Sequence, residues 1–80
     1  MRARVVVTLK AGVLDPQGKA IEGALAGLGF GGVEAVRQGK VFDLVTRHAD
    51  PAAARADIAA MCEKLLANTV IEAYAIEIVG

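Results

Sequence analysis

The 80-residue sequence has little of several residue types on which common functional sites depend. With one cysteine, Cys62, and one histidine, His48, it cannot form an internal disulfide, and a structural zinc site is not expected. Its nine basic and nine acidic residues give a formal net charge of zero, so it lacks the net positive charge expected of a protein that binds nucleic acid or acidic membranes. No apolar run approaches the roughly 18 residues of a membrane span, and the amino end is too short and too alternating for a signal peptide. We therefore expect a cytosolic protein.

What the sequence does have is a globular composition, with 55% hydrophobic residues. Its length predicts a single domain over residues 1–80 with a thin core. A folded chain of this size is expected to expose roughly 4,500 Å² of surface.

Two helices are predicted, and both begin with the same dipeptide. Asp15 and Asp50 are each followed by proline, which supplies an N-cap residue and then a favourable first helical residue. Apolar residues at 21, 25 and 28 predict a helix over residues 16–28, with Gly29 suited to the left-handed residue of a Schellman cap. Apolar residues at 54, 58, 61 and 65 predict a second helix that ends near Asn68.

Strands are predicted before, between and after the helices. Polar and apolar residues alternate over the first ten residues, and residues 70–79 are rich in β-branched side chains. Residues 33–37 and 40–46 are predicted to form a hairpin around Gln38-Gly39. The order β-α-β-β-α-β is that of an α+β ferredoxin-like sandwich, with four antiparallel strands and both helices on one face.

The predicted sheet is apolar on both faces, which is unusual for so small a chain. One face would pack on the helices, so the other needs a cover from another subunit. We therefore expect a homodimer or tetramer that associates through the sheet. The candidate self-association residues are Val6, Val36, Ile71 and Ile76.

No motif in the chain indicates an active site. Gly27-x-Gly29-x-x-Gly32 matches the letters of a dinucleotide fingerprint, but it would close a helix rather than open one, so we interpret it as a cap and turn. The sequence indicates no third, orienting group for His48 and Cys62, and a surface loop histidine and a small buried hydrophobic residue are expected instead. The basic edge of Arg2, Arg4 and Lys10 has no aromatic partners for nucleic-acid stacking. The residues alone favour a binding or assembly module with no catalytic or metal-binding residue.

Three stretches, taken together, resemble a known family. They are LKAGVLDPQG at residues 9–18, VRQGK at 36–40 and MCEKLLANTVIEAY at 61–74. Their order and spacing resemble the PurS family, the small subunits of phosphoribosylformylglycinamidine synthase. The family often has proline where this chain has Ala11 and Thr69, and an acidic or amide residue where it has Ala73.

The resemblance implies a non-catalytic subunit of a three-part amidotransferase. A glutaminase subunit would release ammonia, and a large synthetase subunit would use it with ATP to convert formylglycinamide ribonucleotide to the amidine. ATP and magnesium would bind the large subunit, and this chain would bind no cofactor, nucleic acid or membrane. Its implied role is to associate with itself and to bridge the other two subunits during ammonia transfer.

The loop after the first strand is the candidate partner-binding site. Its apolar Val13 and Leu14 stand where a connecting loop is normally polar, and the resemblance is densest there. Arg37 and Lys40 would form a charged rim, or else only a solvated hairpin tip. The full set of candidate partner-binding residues is Lys10, Gly12, Val13, Leu14, Arg37, Lys40 and Tyr74.

Two other functions remain open on the sequence. An ACT-like regulatory module shares the same element order and would bind an amino acid at a glycine-bearing loop such as residues 11–13. A small ferredoxin-like enzyme would use His48 or Tyr74 in a cleft.

Overall fold

The computed structural model describes all residues, 1–80. It contains the strands β1 (Arg2–Leu9), β2 (Gly39–Val45) and β3 (Glu72–Ile78), and the helices α1 (Pro16–Gly27) and α2 (Pro51–Met61). One π-helical turn, Cys62–Leu66, continues α2. None of the helices has the length and apolar content needed to cross a membrane.

The three strands form one antiparallel sheet in the order β2-β1-β3. Val5 of the central strand lies opposite Phe42 and Ile76, which places these residues on the same face. We call this the inner face, because α2 packs against it, and the opposite one the outer face. The predicted α+β class with an antiparallel sheet is confirmed.

The core lies between the inner face and α2. Ala54, Ile58 and Cys62 recur every fourth residue, and all three are fully buried. This spacing places them on one side of the helix, which is why α2 can lie flat on the sheet. The core cluster consists of Ala3, Val5, Val7, Ile58, Cys62 and Ala67.

The predicted helix ends are confirmed. Asp15 and Asp50 cap α1 and α2 by accepting hydrogen bonds from the backbone N–H groups of Gly18 and Ala53. After α1, Gly29 adopts a φ of 97°, and the backbone N–H of Phe30 donates to the Leu25 carbonyl at 2.9 Å. These are the marks of a Schellman cap, so the glycine motif closes this helix.

The prediction of a fourth strand is wrong. Residues 33–37 are irregular, and the sheet has three strands. The backbone N–H groups of Val36 and Gln38 donate to the carboxylates of Glu22 and Asp15 instead of to a neighbouring strand. Side-chain acceptors from α1 and its cap therefore replace the predicted strand pairing.

The prediction that both helices cover one face of the sheet is also wrong. α2 packs on the strands, whereas α1 makes no extensive contact with any strand. The molecule measures 48 × 26 × 14 Å, and its radius of gyration is 15.9 Å, against about 12 Å for a compact chain of this length. Its exposed surface of 5527 Å² exceeds the value expected from its mass by about 1,000 Å².

Candidate functional site

Three loops that are distant in sequence meet where β1 ends. They are residues 10–14, 33–38 and 67–71, and we call this region the loop end. The backbone N–H of Lys10 donates to the Ile71 carbonyl at 2.9 Å, and its Nζ donates to the Thr69 carbonyl at 2.7 Å. From residues 33–38, the Arg37 side chain donates to the Val13 and Lys10 carbonyls of residues 10–14. Parts of all three stretches that carry the family resemblance therefore meet at one end of the sheet.

The loop of residues 10–14 presents apolar side chains to solvent. Its one internal backbone hydrogen bond runs from the Val13 N–H to the Lys10 carbonyl at 3.1 Å. Gly12 has a φ of 84°, a conformation that other residues rarely adopt. Leu14 is 71% exposed, and Val70 on the adjoining loop is 81% exposed. Exposed apolar side chains on tethered loops suit the binding of a partner protein.

Asp15 fastens the start of α1 to the segment 33–38. Its Oδ1 accepts the Gly18 N–H at 2.9 Å, and its Oδ2 accepts the Gln38 N–H at 2.8 Å. The hydrogen bonds from Gln38 and Gly18 stabilise the ionised carboxylate and hold the pKa of Asp15 below its ordinary value. A Cβ at Gly18 would collide with the Val36 carbonyl oxygen, so glycine is needed for this close approach.

An ion pair crosses the inner face beside these loops. Lys40 Nζ lies 3.5 Å from Glu72 Oε2, and Glu72 Oε1 accepts the Asn68 N–H at 2.7 Å. The Asn68 hydrogen bond, with Lys40 nearby, lowers the pKa of Glu72. Tyr74 lies opposite Val7 in the same row as Lys40, and hydrogen bonding to Glu63 together with burial raises the pKa of its hydroxyl. Lys40 and Tyr74 therefore lie on the inner face near the loop end.

A small polar cavity opens at this corner of the inner face. Its volume is about 200 Å³, and Asp15, Gln38, Lys40 and Glu72 contribute to its lining. No buried side-chain nitrogen or oxygen lacks a hydrogen-bond partner, and no group of three or more His, Cys, Asp and Glu residues is placed to hold a metal ion. The two carboxylates of the lining, Asp15 and Glu72, already have partners within the chain.

The structure separates His48 from Cys62. His48 Nε2 lies 3.0 Å from Asp57 Oδ2, a partner on α2 that the sequence analysis did not identify. Cys62 is in the core, where burial raises the pKa of its thiol. A protonated, inaccessible thiol is a poor nucleophile.

The four candidate self-association residues do not share one surface. Val6 is exposed on the outer face beside Val41, and Ile71 is exposed just before β3. Val36 is half-buried in the irregular segment 33–38. Ile76 lies on the inner face and packs against the core cluster, so its side chain is not part of the outer face.

The seven candidate partner-binding residues, in contrast, all lie at or beside the loop end. The contacts that bring the loop end together join residues far apart in the sequence, so they could not be predicted from it. Lys10 and Thr69 are 59 residues apart, and Asp15 and Gln38 are 23 apart. Only the apolar pair Val13 and Leu14 gave a signal in the sequence.

The chain is similar to known proteins over nearly its whole length. The family model PurS, described as phosphoribosylformylglycinamidine (FGAM) synthase, matches residues 2–80. The synthase subunit PurS of Mycobacterium leprae is 51% identical over 75 residues, covering 94% of this chain and 91% of that protein. The structure of Bacillus subtilis PurS superposes with a TM-score of 0.89 at 43% identity, covering 99% of this chain and 98% of that one. A chain of the PurLQS structure from Thermotoga maritima gives a TM-score of 0.88 at 29% identity, covering 95% and 93%.

Proposed function

This chain belongs to the PurS family, and we propose that it is the small, non-catalytic subunit of a phosphoribosylformylglycinamidine synthase in purine biosynthesis. Relatives of this chain are named as subunits of that synthase, and in this proposal the assembled synthase is an ATP-dependent ligase. Within it, this chain supplies binding surfaces. ATP and magnesium belong to the large subunit in this proposal, and the whole complex acts in the cytoplasm.

The observation that carries the proposal is the loop end. Three separate loops are tied together there by hydrogen bonds, yet Leu14 and Val70 remain exposed. A surface that is both fixed and apolar loses little conformational entropy when a partner covers it. We therefore assign it to contact with the glutaminase and synthetase subunits.

Bridging the two subunits has a physical purpose. Ammonia released into water at neutral pH becomes protonated and loses its nucleophilic lone pair. A closed route between the glutaminase and the synthetase keeps it unprotonated until it reacts. The small subunit supports that route by fixing the position of its two partners.

Self-association is part of the same proposal. The excess exposed surface of about 1,000 Å² is close to the roughly 800 Å² that each partner buries in a standard interface. Val6 and Val41 place apolar surface on the outer face of the sheet, and α1 exposes its apolar side. In this proposal a second copy of the chain covers both apolar surfaces. Equal numbers of basic and acidic residues leave no net charge repulsion between the two copies.

Analytical ultracentrifugation tests self-association. At micromolar concentration the chain should sediment as a dimer or larger species, and Val41→Asp should shift it toward the monomer. An 8.2 kDa species for the unmodified chain would contradict the proposal.

Reconstitution tests the function. Glutaminase and large synthetase subunits should form the amidine from glutamine only when this chain is added. The same mixture with external ammonium salt serves as a control for the synthetase alone. Equal glutamine-dependent turnover with and without the chain would overturn the assignment.

A further inference from the structure

Arg37 makes contacts that do not fit a charged rim. Its Nη1 donates to the Val13 carbonyl at 3.1 Å, and its Nη2 donates to the Leu9 and Lys10 carbonyls at 3.2 Å each. All three acceptors belong to the end of β1 and the loop 10–14. The guanidinium is directed toward its own chain rather than outward to a partner.

The loop depends on these bonds because it has few of its own. Besides the internal Val13 to Lys10 bond, Lys10 ties only the start of the loop to residues 69 and 71. Gly12, in the middle, has no neighbour within contact distance of the position a Cβ would occupy. Arg37 is thus the side chain that fixes both the start of the loop and Val13, the residue before exposed Leu14.

Arg37 is itself held in place by the segment that carries it. The residues on either side, Val36 and Gln38, donate their backbone N–H groups to Glu22 and Asp15 at 3.0 and 2.8 Å. The Gln38 side chain also donates to Gln17 Oε1 at 2.6 Å. The arginine therefore extends from a backbone that is fastened on both sides.

From this geometry we infer that Arg37 is a positioning residue, which holds the loop 10–14 in the shape that binds a partner subunit without touching that partner itself. The inference rests on the proposed function. The planar fork of arginine reaches carbonyls on both sides of the loop at once, which the single ammonium of lysine cannot do. Geometry, and not charge alone, is the property that matters.

Arg37→Lys distinguishes a positioning residue from a charge contact with the partner, because it keeps the charge and removes the planar fork. Arg37→Gln removes both, and Arg47→Gln is the matched control, since Arg47 is exposed and makes no side-chain hydrogen bond or ion pair. In the free subunit, NMR order parameters of residues 11–14 should fall from about 0.85 to below about 0.6 in both Arg37 variants. The Arg47 variant should match the unmodified chain.

The reconstituted synthase provides the second measurement. If the ordered fraction of the loop falls to about a tenth, the concentration of the small subunit that gives half-maximal activity should rise about tenfold. Turnover at saturating subunit should stay unchanged, because Arg37 does not touch the reactants. Arg37→Lys should be as impaired as Arg37→Gln.

Two results would overturn the inference. One is a loop that stays ordered in Arg37→Lys, with affinity restored, which would make Arg37 a charge contact. The other is a disordered loop with unchanged affinity, which would mean that loop order does not control binding. Failure of the proposed function differs from both, because the synthase would then need no small subunit for glutamine-dependent turnover.

Discussion

The two helices of this chain start alike and end up in different environments. Each begins with Asp-Pro, and each carries apolar residues at helical spacing. α2 buries Ala54 and Ile58 against the sheet, whereas Ile21 of α1 is 38% exposed and Leu28 is 74% exposed. The same local signals thus produced one helix that builds the core and one that lies off it.

The difference shows where the information for packing resides. The caps and the apolar spacing specify that a helix forms and which side is apolar. They do not specify which surface covers that side. α2 is covered within the subunit, whereas the apolar side of α1 is not, which agrees with the proposed self-association.

The largest expected effect is on the helix that builds the core. Ile58→Ala should lower the free energy of unfolding by about 2–5 kcal/mol, because it leaves a cavity among fully buried side chains. Ile21→Ala on α1 is the matched control and should have a smaller effect at low protein concentration. Urea unfolding monitored by circular dichroism measures both variants.

The same pair of variants reports on self-association. If a second copy covers α1, the cost of Ile21→Ala should grow as protein concentration rises, since association stabilises only the folded chain. Equal effects of the two substitutions at every concentration would contradict the distinction between the helices.

A smaller effect is expected at the cap of α1. Asp15 has its pKa lowered by the Gln38 and Gly18 hydrogen bonds, so its ionised form stabilises the folded chain. That stabilisation is complete above the ordinary pKa of aspartate and is lost as pH falls through the lower pKa of the folded state. The unmodified chain should therefore exceed Asp15→Asn in stability near about pH 7, and the difference should shrink at acidic pH.

Urea midpoints across that pH range measure the effect. A difference between the unmodified chain and Asp15→Asn that is independent of pH would show that the Asp15 carboxylate is not preferentially ionised in the fold.

The smallest effect is expected near α2, at the two residues most suggestive of catalysis. His48→Ala and Cys62→Ala should leave turnover of the reconstituted synthase within a few-fold, because losing a general acid or base typically costs about 10²–10⁴-fold. His48 pairs with Asp57, and Cys62 is buried in the core. A hundredfold loss in an intact complex would restore the hypothesis of an enzyme active site in this chain.

Local pattern predicted most of the fold. Alternation in β1, both Asp-Pro caps and the Gly29 helix end all follow from neighbouring residues. The segment 33–37 was mispredicted because β-branched Val33 and Val36 favour a strand, whereas distant acceptors on Glu22 and Asp15 take its backbone N–H groups. The loop end was only partly predictable for the same reason, since polar contacts between distant residues leave no periodic signal.

One substitution tests the central claim, that the loop end binds the partner subunits. Leu14→Asp places a charge on the exposed side chain of the loop, and Ala49→Asp places one on an exposed loop at the opposite end of the sheet. Both variants should fold and self-associate, but only Leu14→Asp should abolish glutamine-dependent synthesis in the reconstituted complex. Activity with high ammonium salt should be less affected, because external ammonia bypasses the route. Unchanged glutamine-dependent activity in Leu14→Asp would contradict the claim and place the partner-binding surface elsewhere.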